Sequence, residues 1–111
     1  MNCIFCKIAN GELKSDIVYQ DEKILIFKDI EPAAPIHLLA IPKKHIKDAF
    51  EIGENADLIM HIFKKISELK DKLNIKDGFR IVNNCGEIAG QTVPHIHFHI
   101  LAGRKLKWPP G

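Results

Sequence analysis

The feature that most constrains this chain is the alternation of histidine with apolar residues within residues 92–101, which read Thr-Val-Pro-His-Ile-His-Phe-His-Ile-Leu. Side chains alternate between the two faces of a β-strand, so the three histidines would share one face. A helix would spread the same imidazoles over about 200°. The β-branched and aromatic residues between them also favour a strand. The pattern therefore predicts a core strand with one imidazole-lined face, formed by His95, His97 and His99.

Length and composition indicate a single domain spanning residues 1–111, because 46% of the residues are hydrophobic and 27% are charged. The net charge is only +2, and no basic stripe with interleaved aromatic residues occurs. We therefore expect no nucleic-acid partner. The longest apolar run, residues 36–42, contains a histidine and is far too short to span a bilayer. No stretch resembles a secretory signal, and an odd number of cysteines argues against a disulfide framework. The expectation is a soluble cytoplasmic protein without a membrane partner.

The order of predicted elements indicates an α+β domain with a mostly antiparallel five-stranded sheet. The spacing of Phe5 and Ile8 predicts a short N-terminal helix that stops at Asn10-Gly11. Apolar residues at helical spacing predict one major helix over residues 54–73. The predicted strands are 17–20, 24–28, 37–41, 79–82 and 92–101, the first two forming a hairpin. Prolines at 32 and 35 make residues 29–35 a loop.

The loop before the histidines supplies groups that suit a phosphate. Gly86 and Gly90 can bring backbone N–H groups close to an anion, and Gln91 and Thr92 add side-chain donors. A neutral imidazole whose tautomer is fixed by a backbone carbonyl can attack an electrophile, and His97 is the middle histidine. The combination indicates phosphoryl or nucleotidyl transfer through a covalent phospho-histidine.

The pair Cys3-x-x-Cys6 is compatible with a structural zinc site, which needs two further ligands. His45 and His95 are available for this role. Two small buried thiols without a metal are the alternative. A catalytic zinc held by two of the strand histidines, His95 and His97, with His99 or His37 as third ligand, also remains open at this point. Cys85 is more consistent with a loop or packing residue.

The segment His95–Leu101 resembles the His-φ-His-φ-His-φ-φ motif of the histidine triad superfamily. Further stretches resemble its Hint branch, the histidine triad nucleotide-binding proteins: Phe27–Ile30, Ala34–His37, Ile41–His45, Gly90–Val93 and Trp108–Gly111. The resemblance implies a HIT-like fold whose sheet continues across a homodimer. It also implies hydrolysis of purine nucleoside phosphoramidates, typically adenosine monophosphate (AMP) joined to an amine, through a nucleotidyl-histidine. No organic cofactor is implied.

The resemblance also implies roles for individual residues. His97 would be the nucleophile, His99 would contact the phosphate, and His37 would orient the nucleophile or relay protons. Thr92 would hydrogen-bond the phosphate or the leaving group. The implied nucleotide-binding residues are Asp29 for the ribose hydroxyls, Phe5, Ile8, Phe27 and Ile30 for the base, and Asn84, Gly90 and Gln91 on the phosphate side. Trp108, in the C-terminal tail, would reach the site of the partner subunit.

Many Hint proteins lack the Cys-x-x-Cys pair, but other triad proteins have it. Their four-ligand zinc pattern matches Cys3, Cys6, His45 and His95, which would move His95 from catalysis into structure. Three alternatives to the hydrolase remain: a nucleotide-binding regulatory module with incidental turnover, a catalytic-zinc hydrolase, and a dinucleoside polyphosphate hydrolase. The tail argues against the last, and histidine rather than glutamine at position 99 favours a hydrolase over the related transferases.

Overall fold

Five strands and two α-helices lie within residues 2–111, the part of the chain that this computed structural model describes. The strands are β1 (Ile17–Gln20), β2 (Ile24–Lys28), β3 (Ile36–Pro42), β4 (Arg80–Val82) and β5 (Phe98–Ala102), and the helices are α1 (Ile4–Ala9) and α2 (Ala56–Glu68). The strands form one sheet in the order β1-β2-β3-β5-β4, and every neighbouring pair is antiparallel. The predicted α+β class with a five-stranded sheet is confirmed. Met1, the first residue of the predicted domain, lies outside the described residues.

The two helices cover opposite faces of the sheet because the central strands are apolar on both sides. The core against α2 contains Ile24, Ile26, Leu38, Ala40, Ile62, Ile66, Ile96, Phe98 and Ile100. The smaller core against α1 contains Cys3, Phe5, Ile8, Leu25, Phe27, Leu39 and Ile41. The histidine side chains belong to the α1 face, since His37 shares a face with Leu39 and Ile41 along β3 and His99 alternates with Phe98 and Ile100 of the α2 core along β5.

Helix α2 is shorter than the predicted helix over residues 54–73. It begins at Ala56 after two short 3₁₀ turns and ends at Glu68, with Leu69 as its C-cap. The apolar residues at the end of the predicted stripe still pack against the sheet, because turns carry the chain onward until Asn74 adopts φ 60°. The apolar spacing therefore reports burial correctly but overestimates the length of the helix.

The predicted strand over residues 92–101 is wrong at its start, because β5 begins only at Phe98. Before Phe98 the backbone N–H and carbonyl groups form hydrogen bonds with partners outside the sheet. The Ile96 N–H donates to the Ile46 carbonyl, and the His97 carbonyl accepts from the side chain of Asn83 at 2.9 Å. The alternation of faces nevertheless holds, with Ile96 in the α2 core. No helix within residues 2–111 combines the length and apolar character needed to cross a membrane.

Candidate active site

A cavity of about 750 Å³ lies between α1 and the sheet. Its polar lining includes Asp29, His37, Thr92, His97 and His99. Its apolar lining includes Ile4, Phe5, Ile8, Leu13, Phe27 and Leu39. The cavity therefore has the shape of a site for a molecule with one apolar and one polar half.

His97 presents one ring nitrogen with a free lone pair. Its Nδ1–H donates to the His95 carbonyl at 2.8 Å, so the neutral ring carries no proton on Nε2. The ring of Phe5 packs against it edge-on at 5.0 Å between centroids. Burial lowers the pKa of His97 below its usual value, which the hydrogen bond to the His95 carbonyl only partly offsets. The neutral, nucleophilic form of this imidazole is thus favoured at neutral pH.

His37 and His99 form a hydrogen-bonded pair whose protons can be placed. The Ala33 backbone N–H donates to His37 Nδ1 at 2.9 Å, so the proton of the His37 ring lies on Nε2. That Nε2–H lies 2.9 Å from His99 Nδ1 and 3.3 Å from the Asp29 carboxylate. His99 Nδ1 is therefore an acceptor, and the neutral ring of His99 carries its proton on Nε2. Burial, His97 and His37 together lower the pKa of His99 to about 4.

Two thiols and two imidazoles meet behind the cavity. One ligand atom from each of Cys3, Cys6, His45 and His95 lies within 4.8 Å of the others. The Cys3 sulfur is 3.3 Å from His95 Nδ1, and the Cys6 sulfur is 3.3 Å from His45 Nδ1. Tetrahedral zinc with ordinary Zn–S and Zn–N bonds needs sulfur–nitrogen separations of about 3.6 Å.

The surroundings of the cluster also suit a cation. His95 Nε2–H donates to the Pro42 carbonyl at 2.8 Å, which turns the unprotonated Nδ1 towards the thiols. Burial and the neighbouring Cys3 thiol raise the pKa of Cys6 to about 11, so a positive charge is needed to stabilise its thiolate. The donor set therefore fits zinc.

A second group of possible ligands, Asp29, His37 and His99, is less suited to a metal although its atoms are equally close. A metal on His37 Nε2 would force the ring proton onto Nδ1, where the Ala33 N–H already donates. The catalytic zinc considered from the sequence meets a similar obstacle. Both nitrogens of His95 are occupied, one by the Pro42 carbonyl and one by the thiols, so His95 cannot share a metal with His97.

The comparison with known families agrees with this geometry: the model of the HIT domain matches residues 10–106. The chain belongs to the HIT family. An uncharacterized HIT-like protein of Synechocystis sp. is 46% identical over 109 residues, which are 97% of this chain and 96% of that protein. The crystal structure of a HIT family hydrolase from Legionella pneumophila Philadelphia 1 superposes with a TM-score of 0.94 at 44% identity, covering 99% of this chain and 100% of that chain.

A more distant member of the HIT family, a histidine triad nucleotide-binding protein from Candida albicans, has a TM-score of 0.83 at 33% identity. The match covers 97% of this chain and 83% of that chain. The predicted HIT-like fold is thus confirmed by solved structures of the family.

The HIT fold brings most of the predicted site residues together. The cavity is lined by Phe5, Ile8, Phe27, Asp29, Ile30, His37, Thr92, His97 and His99. Ile30 is an outer wall rather than a buried slot residue, because 92% of its side chain is exposed. Asn84, Gly90 and Gln91 do not line the cavity surface. Trp108 is also outside it, with 80% of its surface exposed within the single chain.

The side chain of Gln91 holds the loop in shape instead of pointing at the cavity. Its amide nitrogen donates to the carbonyls of Lys47 and Val93 at 2.8 and 3.0 Å, and its oxygen accepts from the Gly86 N–H at 2.9 Å. Its place on the phosphate side stays a prediction; in this structure the amide positions the segment that leads into Thr92.

Sequence reasoning missed two contacts that define the HIT site. Asn83 fixes the His97 carbonyl, and the Ala33 N–H fixes the His37 ring. An asparagine directly after a predicted strand was a weak signal for the first. Nothing in the sequence signals the second, because a backbone N–H is present at every residue except proline.

Proposed function

We propose that this HIT protein hydrolyses purine nucleoside phosphoramidates, of the adenosine 5′-monophosphoramidase type found in the Hint branch. The observation that carries the proposal is the state of His97: a neutral, buried imidazole with its Nε2 lone pair free, in a cavity whose lining is partly polar and partly apolar. A HIT family hydrolase and a histidine triad nucleotide-binding protein among the similar structures support the same direction.

In the first step, His97 Nε2 forms a bond to the α-phosphorus, and the phosphorus–nitrogen bond of the substrate breaks. The leaving amine departs with that electron pair and takes a proton from solvent, while the neutral His37–His99 pair keeps its protons and His99 Nε2–H donates a hydrogen bond to the phosphate. The attacking ring becomes cationic as it is phosphorylated. Its Nδ1–H bond to the His95 carbonyl strengthens with this charge, so the carbonyl stabilises the transition state as well as the tautomer.

In the second step, water attacks the phosphorus and the bond to His97 Nε2 breaks. The proton of that water passes to solvent, and the nucleoside monophosphate leaves. His97 is then in its starting state, so the cycle balances without a metal ion at phosphorus. Thr92, which lines the cavity, supplies a hydroxyl to the phosphate or to the leaving group.

The shape of the cavity supports a nucleoside as the bound half of the substrate. Phe5 and Phe27 meet edge-to-face at 5.6 Å and form the apolar wall against which a purine would pack. Asp29 also lines the cavity, 3.3 Å from His37 Nε2, where its carboxylate can accept hydrogen bonds from ribose hydroxyls. One carboxylate oxygen also accepts from the Glu31 N–H at 2.8 Å, which holds the side chain in place.

We also propose that the Cys3–Cys6–His45–His95 cluster binds a structural zinc ion. Such an ion supplies a cross-link rather than chemistry. Cys3 caps α1 by accepting from the Cys6 N–H at 3.3 Å, and His95 directly precedes the site, so the cross-link would join the helix to the histidine segment. Phe5, which lies between the two cysteines in the first turn of α1, would thereby be held against the His97 ring.

The activity is tested by measuring turnover of an adenosine phosphoramidate by His97→Ala. We expect kcat to fall by at least about a thousandfold, because the nucleophile is lost, while calorimetry still detects AMP binding. The matched control is His61→Ala, which removes an imidazole on α2 outside the cavity and should leave turnover per folded molecule unchanged. Near-native turnover by His97→Ala would contradict the nucleophile assignment. AMP binding without any wild-type turnover would favour the regulatory module.

The zinc proposal is tested by metal content and thermal unfolding. We expect one zinc per chain, and we expect Cys3→Ser to lose it and to lower Tm by roughly 10 °C, with a smaller effect on turnover per folded molecule. Cys85→Ser is the control, since Cys85 is the third cysteine and is not part of the cluster. Protein purified without chelator but free of zinc would refute the site. Turnover that stops on chelation of still-folded protein would place the metal in catalysis.

A further inference from the structure

The loop between β2 and β3 is fastened at two points by the turn that follows β5. Arg104 Nη2 donates to the Ala33 carbonyl at 3.1 Å. One residue earlier, Gly103 adopts φ +95° and lies so close to the loop that a Cβ built on it would be 2.8 Å from the Pro35 Cβ. Only glycine allows this approach, because a side chain would meet the proline ring and strain the backbone.

The fastened loop in turn determines where the proton of His37 lies. The Ala33 N–H donates to His37 Nδ1 at 2.9 Å and keeps that nitrogen unprotonated. The other ring nitrogen, Nε2, faces two acceptors, His99 Nδ1 at 2.9 Å and the Asp29 carboxylate at 3.3 Å, so its proton has partners there. The backbone N–H of Ala33 is the contact that opposes a proton at Nδ1.

We propose that Gly103 and Arg104 are positioning residues that fix the protonation pattern of His37 through the Ala33 peptide. With Nδ1 unprotonated, Nε2–H donates to His99 Nδ1, so the proton of the His99 ring lies on Nε2, where it can donate to the phosphate. A proton on Nδ1 has one of two effects. It either moves the lone pair of His37 to face that of His99, or it puts a positive charge beside His99 and His97 and weakens the nucleophile.

The inference rests on the proposed hydrolase only for its effect on turnover, because the ring nitrogens can be observed without substrate. Nitrogen-15 chemical shifts of a histidine ring show which nitrogen carries a proton. In the wild type we expect His37 Nδ1 to be unprotonated and Nε2 to be protonated. A His37→Gln variant assigns the signals.

The direct test uses two variants. Ala33→Pro removes the N–H that donates to His37 Nδ1, and Arg104→Met removes the hydrogen bond to the Ala33 carbonyl. In both we expect proton occupancy at His37 Nδ1 to rise at a fixed pH. We expect kcat to fall about three- to tenfold in Arg104→Met, as for loss of one hydrogen bond, with KM unchanged within about twofold. Arg104→Lys, which keeps a donor, should recover part of this loss. Lys105→Met, a loss of charge at the next position of the turn, is the control.

Gly103→Ala provides a second route that does not depend on tolerance of proline at position 33. Its control is Gly53→Ala, which adds a methyl group at another positive φ but in open space. A raised Nδ1 proton occupancy in Gly103→Ala but not in Gly53→Ala supports the inference. If the proton occupancy of the His37 ring nitrogens is unchanged in Ala33→Pro, Arg104→Met and Gly103→Ala, the inference is overturned, whatever the activity of these variants. If the ring nitrogens change but the wild type hydrolyses no phosphoramidate, the proposed function fails and the positioning role stands.

Discussion

Each of the four histidines around the site has its ring protons placed by a partner on one nitrogen. Carbonyl oxygens hold Nδ1–H of His97 and Nε2–H of His95, a backbone N–H holds Nδ1 of His37, and His37 in turn donates to Nδ1 of His99. The same side chain can thus serve the different roles proposed above, as nucleophile, metal ligand and phosphate contact. At the scale of the residue, the hydrogen bond at one ring nitrogen determines whether the other nitrogen carries a proton or a free lone pair.

The most strongly shifted of these imidazoles, His99, is expected to remain neutral far below neutral pH. Burial, then the nearby His97 and His37, lower its pKa to about 4 from an ordinary 6.5. The unfolded chain therefore binds more protons between these values, and the free energy of unfolding decreases as pH falls through this window. The full difference corresponds to at most about 3 kcal/mol, present above pH 6.5 and lost near pH 4.

This prediction is checked by following the ring signals of His99 by NMR against pH, together with urea unfolding at each pH. His99→Gln should lack the signal and lose this part of the pH dependence. A midpoint near 6.5 for His99 would contradict the expected burial and coupling.

The sequence could predict most of the residues that line the cavity but not how the histidine rings are protonated. Alternation predicted one histidine face, and the resemblance to the triad proteins implied the nucleophile, His97. The partner of His37 is a backbone group 4 residues away, and its contact depends on how the loop closes. The same limit applies to Gln91, whose type suggests a phosphate donor, whereas its amide is used within the loop. The type of a residue shows which hydrogen bonds its side chain can form, but only the fold determines which group is its partner.

At the scale of elements, the β1–β2 hairpin is fastened to α2 by one carboxylate. Asp21 lies in the hairpin turn and accepts from His61 of α2 at 2.7 Å and from the Tyr19 hydroxyl at 2.8 Å. Its other oxygen accepts from the N–H groups of Lys23 and Ile24. Burial alone would raise the pKa of Asp21, but these hydrogen bonds outweigh it and hold the pKa well below its usual range.

We expect Asp21→Asn to lower the free energy of unfolding by about 2 kcal/mol, because the charge-assisted bond to His61 is weakened. Since the folded pKa of Asp21 is depressed, its contribution is present above the unfolded pKa near 4 and decreases as pH falls below it. The stability difference between wild type and variant should therefore narrow in acid, as measured by urea unfolding. Glu22→Gln, a charge loss at the exposed neighbouring position, is the control. A difference that stays constant down to pH 2 would contradict the assignment.

The boundaries of elements were less predictable than their number and order. The alternation of histidine and apolar residues over 92–101 arises because the segment is buried on both sides. It therefore continues through the residues before Phe98, where the backbone is not part of the sheet. His95 and His97 precede β5 because Asn83 and Ile46 take the hydrogen bonds that a neighbouring strand would otherwise form. The chain thereby gains freedom to turn two imidazoles towards different sites, which a regular ladder would not allow.

At the scale of the whole molecule, the β4 edge of the sheet is where we propose that a second copy of the chain binds. β4 is an outer strand, and beside it lies an apolar groove of about 320 Å³ lined by Phe63, Ile66, Ile75, Phe79 and Ile81. Phe63 and Phe79 are each more than 40% exposed. An exposed edge with an apolar border is a template for pairing, so a continuous sheet across a homodimer would cover both features.

The dimer is tested by sedimentation equilibrium of Phe79→Glu. We expect a dimeric wild type and a monomeric variant, because a carboxylate would be buried without a partner at the interface. Phe50→Glu is the matched control, since Phe50 is 88% exposed and does not line the groove. A monomeric wild type would refute the proposal.

The tail makes the dimer consequential for activity. Arg80 of β4 donates to the Lys107 carbonyl at 2.9 Å, which places the start of the tail at the proposed interface, and Trp108 extends from it into solvent. If Trp108 completes the partner's site, Trp108→Ala should lower kcat/KM by about tenfold.

Mixed dimers of His97→Ala and Trp108→Ala subunits show whether the tail acts on the partner's site or on its own. The subunit with intact His97 would receive the intact tail of its partner, so one of two sites should recover wild-type kcat/KM. If the tail acts within its own chain, no site in the mixed dimer is complete, and activity should stay at or below that of the Trp108→Ala homodimer.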